Sequence, residues 1–126
     1  NERDLIHSEN ADKQRLKLIE ECGELASAIL KNDIELQKDS LGDVFVVLTI
    51  LEAQLGLKLD WSIEKHNKES FYHYMKAIIG SPINYAGYLF PLSEVINHDL
   101  TECANLAYNE IKNRKGKTEN GTFIKD

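Results

Sequence analysis

Two groups of carboxylates in the first half of the chain have the residue types and spacing of a metal site. Glu20, Glu21 and Glu24 lie within one helical turn or so of one another, and Asp39 and Asp43 follow in the next helical segment. On a helix the three glutamates share one patch of surface, where like charges repel one another. Mg²⁺ would neutralise them, because it binds through carboxylates while it keeps water ligands and contacts substrate phosphates. The sequence therefore predicts a divalent-metal site.

A solvated helix face is the alternative interpretation of the glutamates. Charge runs commonly lie on exposed faces, and Lys17 is spaced to pair with both Glu20 and Glu21. Asp43 favours the metal site, because it directly precedes the most hydrophobic run of the chain, residues 44–51. A carboxylate at the edge of a buried segment is costly unless it is paired, hydrogen-bonded or bound to a metal.

The two acidic groups lie on consecutive predicted helices, over about residues 11–31 and 34–55. The first has apolar residues at helical spacing. The second has no proline, starts with a capping-box-like pair, Asn32 and Glu35, and closes on Gly56. Its hydrophobic run is rich in β-branched residues and fits a buried strand by periodicity alone, but we expect a helix. An antiparallel pairing of the two helices brings four carboxylates together.

The rest of the chain is also predicted to be helical. A third helix follows Asp60 as N-cap, and a last helix spans about residues 99–115. Between them a fourth helical region covers residues 83–97 and is interrupted by Pro91, which should either kink the helix or start a new first turn. We therefore expect an all-α fold, a bundle of four or five helices that forms a single domain over residues 1–126.

The end of the last helix carries a basic group without an acid among its members, namely Lys112, Arg114, Lys115 and Lys117. Cations at a helix C-terminus are favoured by the helix dipole, which is one explanation of the group. Arginine also binds phosphate oxygens through two parallel hydrogen bonds. A site for a triphosphate is therefore the other explanation.

At these residues the chain resembles the MazG-like nucleoside triphosphate pyrophosphohydrolases, all-α enzymes with the signature E-E-x-x-E followed by E-x-x-D on the next helix. The first half is present as Glu20, Glu21 and Glu24. In the second half Ser40 stands where the family has its glutamate, three residues before the matching Asp43. The resemblance is strong over residues 13–56 and returns over residues 108–125, and the middle third of the chain resembles the family only loosely.

The resemblance implies hydrolysis of a nucleoside triphosphate to the monophosphate and pyrophosphate, with Mg²⁺ or Mn²⁺ as cofactor. The implied catalytic residues are three glutamates: Glu20, Glu21 and Glu24. The implied metal ligands are four carboxylates, in which Asp39 replaces the missing glutamate: Glu21, Glu24, Asp39 and Asp43. The implied substrate-binding residues are basic or amide side chains: Lys13, Lys17, Asn109, Lys112, Arg114 and Lys115. In this reaction Glu20, or a carboxylate oxygen that does not bind the metal, takes the proton of a metal-bound water that attacks the α-phosphorus.

Composition limits the partners. A net charge of -6 and a pI near 5.2 argue against general nucleic-acid binding. No apolar run is long enough to span a membrane and no signal-peptide pattern opens the chain, so we expect a cytoplasmic protein.

Cys22 and Cys103 do not form a C-x-x-C pair and are expected to be reduced core residues. A homodimer or homotetramer is expected, because so few helices leave an apolar face to cover and because the resembled family forms such oligomers. The first residue is Asn1 rather than methionine, which leaves open whether residues precede it.

Two other functions remain open. Ser40 is consistent with a catalytically weakened homologue that binds nucleotide without hydrolysis, in which case Ser40→Glu should raise activity. A helical interaction module with a solvated acidic face is the second. In such a module Glu24→Ala should be nearly neutral, because it removes a repulsive like charge.

Overall fold

The computed structural model describes residues 2–62 and 68–116, with side chains over 10–62 and 68–113, and every regular element in these ranges is a helix. The all-α prediction is confirmed. The helices are α1 (Glu2–Leu30), α2 (Ile34–Leu55), α3 (Phe71–Gly80), α4 (Pro82–Tyr85), α5 (Leu89–Val95) and α6 (Leu100–Gly116), with a 3₁₀ turn at Ala86–Tyr88. No helix in the described part of the chain is long and apolar enough to cross a membrane.

The long helices α1 and α2 form an antiparallel hairpin. Asn32 connects them in the left-handed conformation (φ 55°), and Asp33 is the N-cap of α2, accepting a hydrogen bond from the Leu36 amide at 3.1 Å. The cap is therefore one residue later than predicted. The predicted end at Gly56 is confirmed by its φ of 66° and by its amide bonds to carbonyls of the last turn. Helix α1 begins earlier than predicted, because residues 2–10 contain no proline or glycine to stop it.

The prediction of a helix directly after Asp60 is wrong for residues 61–62 and 68–70, which are not helical. Residues 63–67 lie outside the described part of the chain. The Asp60 carboxylate accepts from the amide and hydroxyl of Ser62, at 2.9 and 2.6 Å, and so closes a turn instead of capping a helix. The third helix starts only after Ser70, whose hydroxyl accepts from the His73 amide. An Asp60 carboxylate that accepts a hydrogen bond from a nearby residue fits a helix N-cap as well as a turn, and the structure forms the turn.

Contacts with other segments hold this loop in place. Glu52 of α2 accepts hydrogen bonds from the Leu59 amide at 2.8 Å and from the Trp61 indole at 3.1 Å. Gly87 packs so closely on the loop that a Cβ there would lie 2.3 Å from the Ser62 carbonyl oxygen. Pro91 lies in the first turn of α5, where proline is tolerated, and the 3₁₀ turn precedes that helix, so the predicted start of a new first turn at Pro91 is confirmed.

Helix α6 packs across α2 and completes the core. The largest buried side chains come from every helix with ten or more residues and from α5, and include Leu18, Leu25, Leu41, Leu48, Tyr74, Ile78, Leu89, Leu92 and Cys103. Cys22 and Cys103 are both buried free thiols, as predicted. The packing of α2 against α1 and α6 fixes which of its polar side chains point inward.

Candidate metal centre and substrate pocket

Three carboxylates from α1 and α2 converge in the middle of the hairpin. One oxygen each from Glu21, Glu24 and Asp43 lies within 4.8 Å of the other two. Glu21 is buried, Asp43 is half-buried and Glu24 is exposed, so the group forms a site that opens to solvent on one side. Three of the four predicted ligands are thus together.

Glu21 is the most constrained of the three. Its side chain is only 6% exposed, and within the described residues its Oε2 atom has no hydrogen-bond partner. Its other oxygen lies 3.3 Å from Lys17 Nζ. The pKa of Glu21 is raised to about 7, chiefly by burial and also by the charges of Asp43 and Glu24, although the hydrogen bond from Lys17 lowers it.

These observations fit a divalent cation. All three donors are carboxylate oxygens, the ligands that Mg²⁺ prefers, and opposite ligands of a six-coordinate Mg²⁺ lie about 4 Å apart. A cation between the three groups would balance their repulsion and give the buried Glu21 oxygen a partner. The centre therefore has both the donor chemistry and an unsatisfied oxygen that a metal ion would bind.

Lys17 connects the centre to Glu20. Its Nζ atom lies 2.6 Å from Glu20 Oε1, and its hydrogen bonds to Glu20 and Glu21 raise the pKa of its ammonium group. Glu20 itself is exposed and is not one of the three converging carboxylates. The ion pairs from Lys17 to Glu20 and Glu21 that a solvated helix face predicts therefore form as well. The exposed pair between Lys17 and Glu20 contributes little to stability.

Asp39 is the predicted ligand that the structure does not bring together with the others. Among the described residues the converging group does not include it, and its side chain is exposed on α2. The pKa of Asp39 is raised by partial burial and by the charges of Glu110, Glu35 and Asp33. Successive helical residues point about 100° apart, and it is the neighbouring Ser40 that faces inward, at 1% exposure.

A cavity of about 460 Å³ borders the centre between α1, α2 and α6. Its wall carries charged and polar side chains on α1 and an apolar strip on α2, namely Lys13, Gln14, Lys17 and Glu21 of α1, Asp43, Val46, Val47 and Ile50 of α2, and Ala107, Glu110 and Ile111 of α6. Two predicted substrate-binding lysines, Lys13 and Lys17, therefore line it. The predicted Asn109 and Lys112 are exposed on α6 beside the lining residues, and the side chains of Arg114 and Lys115 lie outside the description.

Several of the lining residues were not among those predicted from the sequence. Gln14 is one helical turn before Lys17 on the same face, a signal that was present in the sequence, and its side-chain amide donates to the Val47 carbonyl at 3.4 Å. Glu110 had no comparable signal, because its position at the cavity depends on how α6 crosses α2.

Comparison with known proteins agrees with this geometry. Residues 9–71, half of the chain, match the family model of the MazG nucleotide pyrophosphohydrolase domain. The chain belongs to this family of all-α proteins, which act on nucleoside triphosphates and typically depend on a divalent metal.

One curated relative is an uncharacterized 18.2 kDa protein in the rep-hol intergenic region of Haemophilus phage HP1 (strain HP1c1), 47% identical over 53 residues. The match covers 42% of this chain and 32% of that protein, so the chain matches about a third of its relative's length. No solved structure matches the chain significantly.

Proposed function

We propose that the protein is a Mg²⁺-dependent nucleoside triphosphate pyrophosphohydrolase, which converts an NTP or dNTP to the monophosphate and pyrophosphate in the cytoplasm. Mn²⁺ is a possible substitute. The observation that carries the proposal is the convergence of Glu21, Glu24 and Asp43 beside a cavity lined by Lys13 and Lys17. Cations and carboxylates placed side by side in this way suit a metal-bound triphosphate.

The positions of the side chains support the following roles in the proposed reaction. Glu21, Glu24 and Asp43 would hold the metal ion, which neutralises phosphate charge and lowers the pKa of a bound water when it is present. Lys13 and Lys17 would bind phosphate oxygens. The water oxygen attacks the α-phosphorus, the bond from this phosphorus to the bridging oxygen breaks, and pyrophosphate leaves. Glu20, or a carboxylate oxygen that does not bind the metal, would accept the proton of the attacking water. Glu20 is exposed, and its ion-pair partner Lys17 also lies 3.3 Å from Glu21 of the centre.

The basic end of α6 is the proposed site of the departing pyrophosphate. Asn109 and Lys112 are exposed and flank in sequence Glu110 and Ile111, which line the cavity. Arg114 and Lys115 continue the same helix toward Gly116. We propose that these four side chains bind the phosphates that the metal ion, Lys13 and Lys17 do not contact.

Pyrophosphate release tests the proposal. We expect the wild-type protein to release pyrophosphate from at least one of a panel of canonical and modified nucleoside triphosphates with Mg²⁺, and to release none when the metal is chelated. If nothing is released, the enzyme proposal is wrong. Thermal stabilisation by nucleotide would then indicate a binding homologue, for which Ser40 is the specific reason, and no stabilisation by metal or nucleotide would indicate a helical interaction module.

We also propose that a second copy of the chain covers an apolar stripe on α1 and the start of α2, giving a homodimer or a tetramer built from it. The stripe consists of the exposed residues Leu16, Ile19, Leu30 and Ile34, which are 50 to 85% exposed. Its α1 members lie within about 60° of one another around the helix. A two-fold axis would bury the stripe against itself, which is the commonest way that identical chains associate.

Ile19→Glu is expected to convert the oligomer to a monomer, because it places a charge within the stripe. Sedimentation or light scattering would measure the mass in solution. Leu57→Glu is the matched control, since Leu57 has a similar exposed fraction, 45% against 50%, and lies outside the stripe. A wild-type monomer, or an Ile19→Glu variant that stays oligomeric, would contradict this interface.

A further inference from the structure

Ser40 is a buried polar residue beside the metal centre that the proposed reaction does not use. It lies on α2, one helical turn before Asp43, with 1% of its side chain exposed. Within the described ranges nothing forms a hydrogen bond with its Oγ atom. A buried hydroxyl without a partner is unfavourable, so its position beside a centre that also contains an unpartnered carboxylate oxygen needs an explanation.

The register of the hairpin places Ser40 next to the carboxylates. One turn before Ser40, the Gln37 side-chain amide donates to the Ala28 carbonyl at 3.3 Å. One turn after it, Asp43 converges with Glu21. By this register Ser40 faces the part of α1 that carries Glu24, the third carboxylate of the centre.

We propose that Ser40 makes this a one-ion centre, in which three carboxylates hold a single divalent cation and a neutral hydroxyl stands where a fourth anionic ligand would be. This inference rests on the proposed function, because it concerns the same metal site. It goes beyond that function, because pyrophosphate release alone does not fix the number of ions.

Charge and geometry both support a single ion. When all three carboxylates are ionised to bind a metal, they carry a charge of about -3, which exceeds the charge of one divalent cation but falls short of that of two. Paired metal ions lie about 3.5 to 4 Å apart and need enough carboxylates to offset their mutual repulsion. The three oxygens, all within 4.8 Å of one another, can instead surround one ion, whose remaining positions are left for water and phosphate oxygens.

Counting bound Mn²⁺ tests the inference without an activity measurement. Electron paramagnetic resonance and calorimetric titration of the full chain should give one Mn²⁺ per chain for the wild type and for Ser40→Ala, with dissociation constants within about threefold, because neither side chain adds a charge. Ser40→Glu adds a fourth carboxylate and should bind two ions. Circular dichroism would establish that this variant is folded. If Ser40→Glu is not folded, the numbers of Mn²⁺ ions bound by the wild type and by Ser40→Ala test the inference.

A count of two or of no ions in the wild type would overturn the one-ion centre, and so would a folded Ser40→Glu variant that still binds one. The result is separable from the fate of the proposed function. Two ions together with metal-dependent pyrophosphate release would refute the inference and leave the enzyme intact. One ion without any release would support the inference and refute the enzyme.

Discussion

Asp43→Asn is expected to lower kcat/KM for pyrophosphate release by at least about 100-fold, because it removes one of three converging anionic ligands while it keeps the shape of the side chain. Loss of a group that only orients a metal ligand already costs about 10- to 100-fold in metal affinity or activity, and loss of a ligand should cost no less. The measurements are pyrophosphate release at saturating Mg²⁺ and the dissociation constant for Mn²⁺, which should rise at least about tenfold.

Asp39→Asn is the matched comparison, because it makes the same chemical change on the same helix, one turn away. Asp39 is exposed, and in the described part of the chain it is not one of the converging carboxylates. We expect activity and Mn²⁺ affinity to stay within about twofold of the wild type, as for most exposed surface changes. Equal losses in both variants would restore Asp39 to the ligand set and refute a centre of three carboxylates.

The difference between Asp39 and Ser40 shows how far the sequence could predict the site. Spacing and an antiparallel hairpin were enough to pair Glu21 with Asp43. They were not enough to choose the inward-facing residue one turn earlier, because neighbouring helical positions point about 100° apart. Tertiary packing makes that choice, since the burial of Leu41, Val44 and Leu48 sets the rotation of α2.

The same distinction holds for the fold. The end of α2 was predictable because Gly56 acts locally, through a left-handed backbone and its own amide. The loop after it was not, because Glu52 accepts hydrogen bonds from Leu59 and Trp61, and such contacts between separate segments leave no periodic signal in the sequence. The Asp60 carboxylate suits a turn as well as a helix cap, and only those contacts distinguish the two.

Gly42→Ala is expected to destabilise the protein by at least about 2 kcal/mol, through overpacking at the crossing of α2 and α6. A Cβ at residue 42 would lie 2.3 Å from the Cys103 carbonyl oxygen and 3.1 Å from the Ala107 Cβ. The oxygen belongs to the backbone of α6, so no side-chain rotation relieves the clash and the helices must separate. Thermal unfolding should show a fall in Tm of roughly 6 to 10 °C.

Gly80→Ala is the matched control for Gly42→Ala, because within the described residues no atom outside its own helix lies near enough to contact a Cβ there. We expect a change of at most about 0.5 kcal/mol. Ala107, which Gly42 allows to approach α2, also lines the cavity beside the carboxylates. Separation of the two helices should therefore raise KM for the nucleotide in Gly42→Ala, even at temperatures where the variant is folded. A variant with lowered Tm and an unchanged KM would show that the cavity does not depend on this contact.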